Sequence, residues 1–206
     1  MPAAELQRAL VAGRLEDAIR NAVPQVPQYE HLREALAQYR AWVGHPAWRQ
    51  PLTALPLARQ GRSHKLEPGQ PWTGLGPLSQ RLALLGDLPP AVPMPARYEG
   101  VLVEAVQAFQ RRHGLTVDGV IGRATLAQLE VTPEARARQI RLNLERLRWT
   151  PVLQARRMVV INVPEFVLRA YEVQDGRIRL RQSMKVIVGK ALDTRTPLID
   201  VDMRYI

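Results

Sequence analysis

Residues 101–126 read VLVEAVQAFQRRHGLTVDGVIGRATL. Leu102, Val106 and Phe109 recur at spacings of four and three with Ala105 beside them, which predicts a helix over 98–113 that buries one face. Gly114 stops it, since a glycine accepts the left-handed backbone that closes a helix. Asp118-Gly119-Val120-Ile121-Gly122 then reads as a tight turn, with two glycines free to take positive φ. Arg123 to Glu130 begins a further helix with Leu126 and Leu129 inward.

Upstream, Pro77 opens a helix at no cost, because a first-turn residue has no use for its N–H. Leu78, Leu82 and Leu85 give that helix its buried stripe, and Gly86 supplies its C-terminal cap. A proline-rich loop, Asp87 to Pro95, leads on to Tyr98. Three short helices with this turn chemistry predict a compact module over 73–131.

The remainder sorts around that module. Residues 4–20 predict one amphipathic helix bearing Leu6, Leu10, Leu15 and Ile19, broken at Pro24 and Pro27. A second runs from Tyr29 to Val43 with Leu32, Leu36 and Tyr39 aligned, ending at Gly44. Residues 45–72 show no period and read as an extended connector, so 1–72 is a helical scaffold and linker. Thr132-Pro133-Glu134 is an N-cap, first-turn proline and acid in succession, opening a basic linker helix within 132–155. Beyond it the period changes from 3.6 to 2. Met158–Val163 and Phe166–Val173 read as strands, Gln174-Asp175-Gly176 as a hairpin turn, and 177–188 as a third strand whose Arg177, Arg179 and Arg181 share a face. The fold class is α+β: a mainly helical scaffold with an inserted three-helix module, followed by antiparallel strands.

Composition narrows the chemistry. The 206 residues contain no cysteine, which removes disulfides, thiolate metal sites and thiol catalysis from this chain. Four histidines (His31, His45, His64, His113) stand far apart without HExxH, so no metal or cofactor is expected. Ser63, Ser79 and Ser183 lie outside any G-x-S-x-G, and neither phosphate-binding glycine motif occurs. The longest apolar runs, such as Met158 to Ile161, are far short of the roughly 20 residues that span a bilayer, and no signal peptide is visible at the N-terminus. The net charge is +10, with the excess concentrated after residue 131. Arg136, Arg141 and Arg148 form the expected basic surface, suited to a polyanion.

Leu78-x3-Leu82-x3-Gly86-Asp87, Ala105-Val106-Gln107-Ala108-Phe109-Gln110 and His113-Gly114-Leu115-x2-Asp118-Gly119-Val120-Ile121-Gly122-x2-Thr125 together resemble the small three-helix peptidoglycan-binding domain. The resemblance implies a ligand of glycan strands and stem peptides. Tyr98, Gln110, Arg111, Asp118 and Arg123 are the residues expected to meet it, while Phe109 and Leu126 read as core and Asp118 and Thr125 also as local caps.

A second resemblance covers the end of the chain. Ile140 to Trp149, Val160-Ile161-Asn162-Val163-Pro164-x-Phe166-x-Leu168, Met184 to Lys190 and Arg195-Thr196-Pro197-Leu198 are similar to the large periplasmic L,D-transpeptidases with a YkuD-type catalytic domain. It implies that 156–206 is an incomplete N-terminal part of such a domain. Members of that family transfer a stem-peptide acyl group through a cysteine thiolate paired with histidine, forming 3–3 cross-links. Their His and Ser-x-Gly-Cys segment lies beyond the region matching Ile206. The expectation is therefore a chain truncated before the catalytic cysteine, with no catalytic residue of its own and inactive alone. It would be periplasmic or envelope-associated, with peptidoglycan rather than nucleic acid as partner. A non-catalytic peptidoglycan-binding protein is the alternative.

Overall fold

The computed structural model describes residues 3–24, 26–49, 51–58, 63–89, 93, 95–149, 156–174, 177–190, 192–197 and 201. Asp175 and Gly176 of the expected hairpin turn, and most of the Asp200–Ile206 segment, lie outside the described residues. Among those described, seven α-helices precede a three-stranded antiparallel sheet, so the chain is α+β. It divides into two compact units: residues 1–31 with 144–206, and residues 32–143.

In the first unit, α1 (Ala3–Val11) and α2 (Leu15–Ala22) replace the single helix expected over 4–20. Gly13 takes φ +67°, its N–H donates to Leu10 O at 3.1 Å, and Arg14 N–H donates to Ala9 O at 2.8 Å. This paired closure ends a helix at a left-handed glycine, and an amphipathic count does not register it. Leu6 and Leu10 remain exposed.

The sheet has the order β1-β2-β3, with β1 Arg157–Asn162, β2 Val167–Gln174 and β3 Arg177–Lys185. Tyr171 is its one buried aromatic, opposite Met158 on β1 and Leu180 on β3. Its hydroxyl accepts from the Gln28 amide. Tyr29, also buried, takes the Arg148 Nε–H on its hydroxyl at 2.9 Å. The strict alternation expected along β3 fails at one point. Ala170 pairs Gln182 and Tyr171 pairs Leu180, so Arg181 is an extra residue at a bulge. Arg181 still reaches Glu172 at 3.4 Å, beside Arg157 at 3.3 Å.

One face of this sheet is apolar and open. Val159, Ile161 and Met184 are each 44–51% exposed, and the register sets them around Leu168 and Ala170. Apolar side chains that keep about half their surface in water contribute little burial energy, so the sheet is less stable than the helical core of the second unit. Amide hydrogens across 158–185 should exchange far faster than those of the helices in the second unit. Protection there equal to that of residues 101–112 would contradict this.

The second unit holds the last part of α3 (Pro27–Ala41), a 3₁₀ turn at Pro46–Trp48, then α4 (Leu75–Leu84), α5 (Val101–Arg112), α6 (Arg123–Leu129) and the first part of α7 (Pro133–Trp149). Leu78, Leu82, Leu102, Val106 and Phe109 are all at most 1% exposed, as their spacing predicts. The segment read as a connector does more than span. Leu52, Leu55, Leu66 and Trp72 join the same buried cluster, each contributing on the order of 2 kcal/mol. Leu66 and Ile121 exchange both backbone hydrogen bonds at 3.0 Å. Irregular chain has no period, so its burial leaves no pattern to read. At the seam, Gly74 lies directly under the Trp72 indole, where any Cβ would stand 2.4 Å from the ring.

Candidate functional site

The exposed part of the module is a turn held from below by buried polar side chains. Gln110, on the inner face of α5 and 1% exposed, is its anchor. The Gly119 N–H donates to Gln110 Oε1 at 2.9 Å. Gln110 Nε2 donates in turn to Asp118 Oδ1 and Val120 O, both at 3.0 Å, with Thr125 Oγ1 at 3.3 Å. From the other side the Tyr98 hydroxyl donates to Gly119 O at 2.7 Å. Both backbone groups of Gly119 are thus fixed by side chains. Gly119 takes φ +70°, and a Cβ there would meet Val103 Cγ1 at 2.7 Å, so the position requires glycine twice over. Gly122, in contrast, stays at φ −93°.

This geometry sorts the residues expected to meet a ligand. Tyr98 and Gln110 are 0% and 1% exposed and hold the turn rather than face outward. A polar side chain at a helix face reads as surface until a buried backbone group is found to need it. Burial also raises the Tyr98 phenol above its ordinary value, the Asp118 charge adding to the effect, so it stays a neutral donor. Arg111, Asp118 and Arg123 are exposed. Asp118 caps the turn through Val120 N–H at 2.9 Å while its side chain remains open to solvent.

The basic helix is not one face. At about 100° per residue, Arg136 is turned about 140° from Arg141, while Arg148 falls close to Arg141's side. Arg136 is half-buried and donates to Gln128 Oε1 at 2.6 Å and Gln139 Oε1 at 2.7 Å. Arg148 engages Tyr29 and Glu145, and Arg141 is exposed.

Two charged features escaped the spacing. Arg112 holds Asp87 in a two-pronged pair, Nε to Oδ1 at 2.8 Å and Nη2 to Oδ2 at 2.5 Å, tying α5 to the end of α4. Arg81, 1% exposed, donates to Ala47 O at 2.8 Å and Leu129 O at 3.1 Å beneath the Trp48 ring. Burial lowers the Arg81 guanidinium below its ordinary value, partly offset by Glu130. A single arginine in a leucine-rich helix gives no sign of pointing inward.

His113 closes α5 with its ring 4.1 Å from Phe109. Burial, helped by Arg112 and Arg136, pushes its imidazole down to about 4 from 6.5. Between those values the unfolded chain binds the proton more readily than the folded one. Stability is therefore complete above about pH 6.5 and declines as pH falls towards 4, by on the order of 2 kcal/mol after allowing for partial exposure. Urea midpoints at pH 7 and pH 4.5 should drop more for the wild type than for His113→Gln. Equal drops would rule out His113 as the cause.

Among the described residues no cluster of His, Asp or Glu could hold a metal, and no helix is long and apolar enough to cross a membrane.

The model of a peptidoglycan binding domain family matches residues 77–129, which are α4, α5, the turn and α6. This segment is thus similar to a peptidoglycan-binding domain. Its buried anchors Gln110 and Tyr98 hold a turn that presents Asp118 and Arg123 to solvent. No curated protein matches the chain. Among solved structures it is similar to a fused Zn-dependent amidase/peptidase/peptidoglycan-binding domain-containing protein from Clostridium acetobutylicum ATCC 824, at 13% identity and a TM-score of 0.29. That match covers 63% of this chain and 64% of the other, just under two thirds of its length.

Proposed function

We propose that the chain is the wall-binding, N-terminal portion of a peptidoglycan L,D-transpeptidase. The observation that carries the wall-binding half is the peptidoglycan-binding domain at residues 77–129. Its ligands in this reading are glycan strands and stem peptides, which place the chain in the cell envelope. Arg111, Asp118 and Arg123 are the exposed contacts. The charge of +10 suits stem-peptide carboxylates and anionic wall polymers.

The enzyme half rests on the resemblance of residues 140–198, supported by an antiparallel sheet that follows the domain and α7 with one apolar face uncovered. The thiol and histidine of the acyl transfer would lie outside these 206 residues, since the chain has no cysteine and its histidines all precede the sheet. That same lack of cysteine favours the second reading, a peptidoglycan-binding protein without catalysis.

Purified sacculi should sediment the chain at 200 mM salt, whereas DNA should release it with a steep salt slope. Arg111→Glu with Arg123→Glu should abolish most of the sacculus-bound fraction. Retention on DNA but not on sacculi would overturn the wall reading. The reading frame past Ile206 tests the enzyme half: a histidine and Ser-x-Gly-Cys support it, and a stop codon sinks it.

A further inference from the structure

The open face of the sheet carries a different chemistry at each end. At the end where the 3₁₀ turn Val163–Glu165 joins β1 to β2, Ile161, Leu168 and Met184 stand in register across the three strands, with Val159 and Ala170 in the next row. Phe166, which closes that turn, adds a ring that is 54% exposed. At the other end Arg157, Glu172 and Arg179 form one row, and cross-strand partners share a face. Arg157 Nε lies 3.3 Å from Glu172 Oε1, and Arg181 Nε lies 3.4 Å from Oε2. The Arg157 and Arg181 side chains are nevertheless 82% and 61% exposed, and Arg179 is exposed beside them.

One carboxylate answers three guanidiniums, so this end of the face keeps an excess of positive charge. A covering protein layer would take those arginines out of water without enough counter-charge, at a high desolvation cost. A second copy docked through the same face by a two-fold axis would set arginines against arginines or against the apolar end, and neither pairing is complementary. A bilayer interface suits both ends at once. Its acyl boundary takes the apolar side chains, while the headgroup layer brings phosphates to the guanidiniums and leaves them hydrated. The guanidinium fork matches a phosphate in a two-pronged geometry, and an exposed aromatic ring is at home at the same boundary.

We propose that this face docks on an anionic lipid bilayer, with Val159, Ile161 and Met184 at the acyl boundary and Arg157, Arg179 and Arg181 among the phosphates. The sheet tilts so that its Phe166 end enters first. The proposal goes beyond the wall-binding reading and does not rest on it. Its residues all belong to the first unit, whereas Arg111, Asp118 and Arg123 belong to the second.

The full chain is sedimented with vesicles of phosphatidylglycerol and phosphatidylethanolamine in equal parts and, separately, with vesicles of phosphatidylcholine alone. The first should retain it and the second should not. Arg179→Gln with Arg181→Gln should weaken binding to the anionic vesicles about twenty-five-fold, about fivefold for each charge at the surface. Arg40→Gln with Arg49→Gln removes the same charge from exposed positions of the second unit and should change binding less than about twofold. Because the chain has no cysteine, Val159→Cys can carry a single polarity-sensitive fluorophore. Its emission should shift to the blue on the anionic vesicles. The same label on Ser183→Cys, whose position pairs with Arg169 on the opposite face, should not shift. Equal retention by phosphatidylcholine, a loss as large for the Arg40 and Arg49 pair, or an unmoved Val159 label would each overturn the proposal. A lipid-free dimer in sedimentation equilibrium that Ile161→Gln dissociates would also overturn it, by giving the face to a second copy. If sacculi retain the chain while the vesicles do not, the lipid surface fails and wall binding stands. If the vesicles respond as expected but sacculi do not retain the chain, the wall reading fails and the lipid surface stands.

Discussion

Arg81→Ala should lower the unfolding free energy of the second unit by about 4 kcal/mol, and Arg81→Met by about 2 kcal/mol. The Arg81 guanidinium is inside the protein, donating to Ala47 O and Leu129 O with Trp48 stacked over it. Removing it takes a donor from the carbonyls of two buried residues, Ala47 and Leu129, each loss costing roughly 1–3 kcal/mol. Alanine adds a cavity the size of the missing stem, whereas methionine refills most of it. An opposing effect limits the loss. Burial already disfavours the charge, so deleting it recovers some desolvation energy. The loss of the two hydrogen bonds outweighs that gain, because both carbonyls give up a charged donor. Urea titration followed by tryptophan fluorescence reads this directly, since Trp42, Trp48 and Trp72 all lie in that unit. An Arg81→Met midpoint equal to wild type would show that the two carbonyls find other donors.

Gln110→Leu should cost about 3 kcal/mol, although leucine is nearly isosteric and better suited to a core. The amide of Gln110 serves both sides of the turn at once. Its oxygen takes Gly119 N–H at 2.9 Å, and its nitrogen supplies Asp118 and Val120 at 3.0 Å. Leucine leaves the Gly119 N–H buried and unpaired while the Val120 carbonyl loses a donor. Gln110→Glu should be worse, because it sets a buried carboxylate against Asp118 Oδ1 and removes both donors. The same substitution separates two roles for this residue. A glycan contact would lose sacculus binding without losing stability; an internal anchor loses stability first. Tyr98→Phe, which removes only the 2.7 Å bond to Gly119 O, should cost about 1 kcal/mol and leave binding unchanged. An unchanged urea midpoint for Gln110→Leu would refute the anchoring role.

Much of the second unit was legible from residue types alone. Leu78 and Leu82 on α4, and Leu102, Val106 and Phe109 on α5, fall where a period of 3.6 puts them, and Gly86, Gly114 and Gly119 take the positive φ their positions call for. Capping and periodicity are local rules, so a local reading finds them. The strands were equally plain, because alternation at Met158–Val163 and Phe166–Val173 is a property of neighbours. The break at Gly13 and the bulge at Arg181 were not. Each depends on how one residue closes against partners that spacing does not specify.

The sequence by itself determined the three-helix domain, the α+β order and the absence of a thiol in this chain. Each follows from residue identity or from spacings of a few positions. Only the tertiary structure decided that Tyr98 and Gln110 turn inward, that Arg81 is buried, and that Leu52, Leu55, Leu66 and Trp72 belong to the core. It alone set Arg148 on the Tyr29 hydroxyl, 119 positions apart along the chain. The physical reason is the same in every case. A polar or irregular residue is drawn inward by a backbone group, a ring or a charge that lies far along the chain, and a local pattern carries no trace of a partner that only folding brings near.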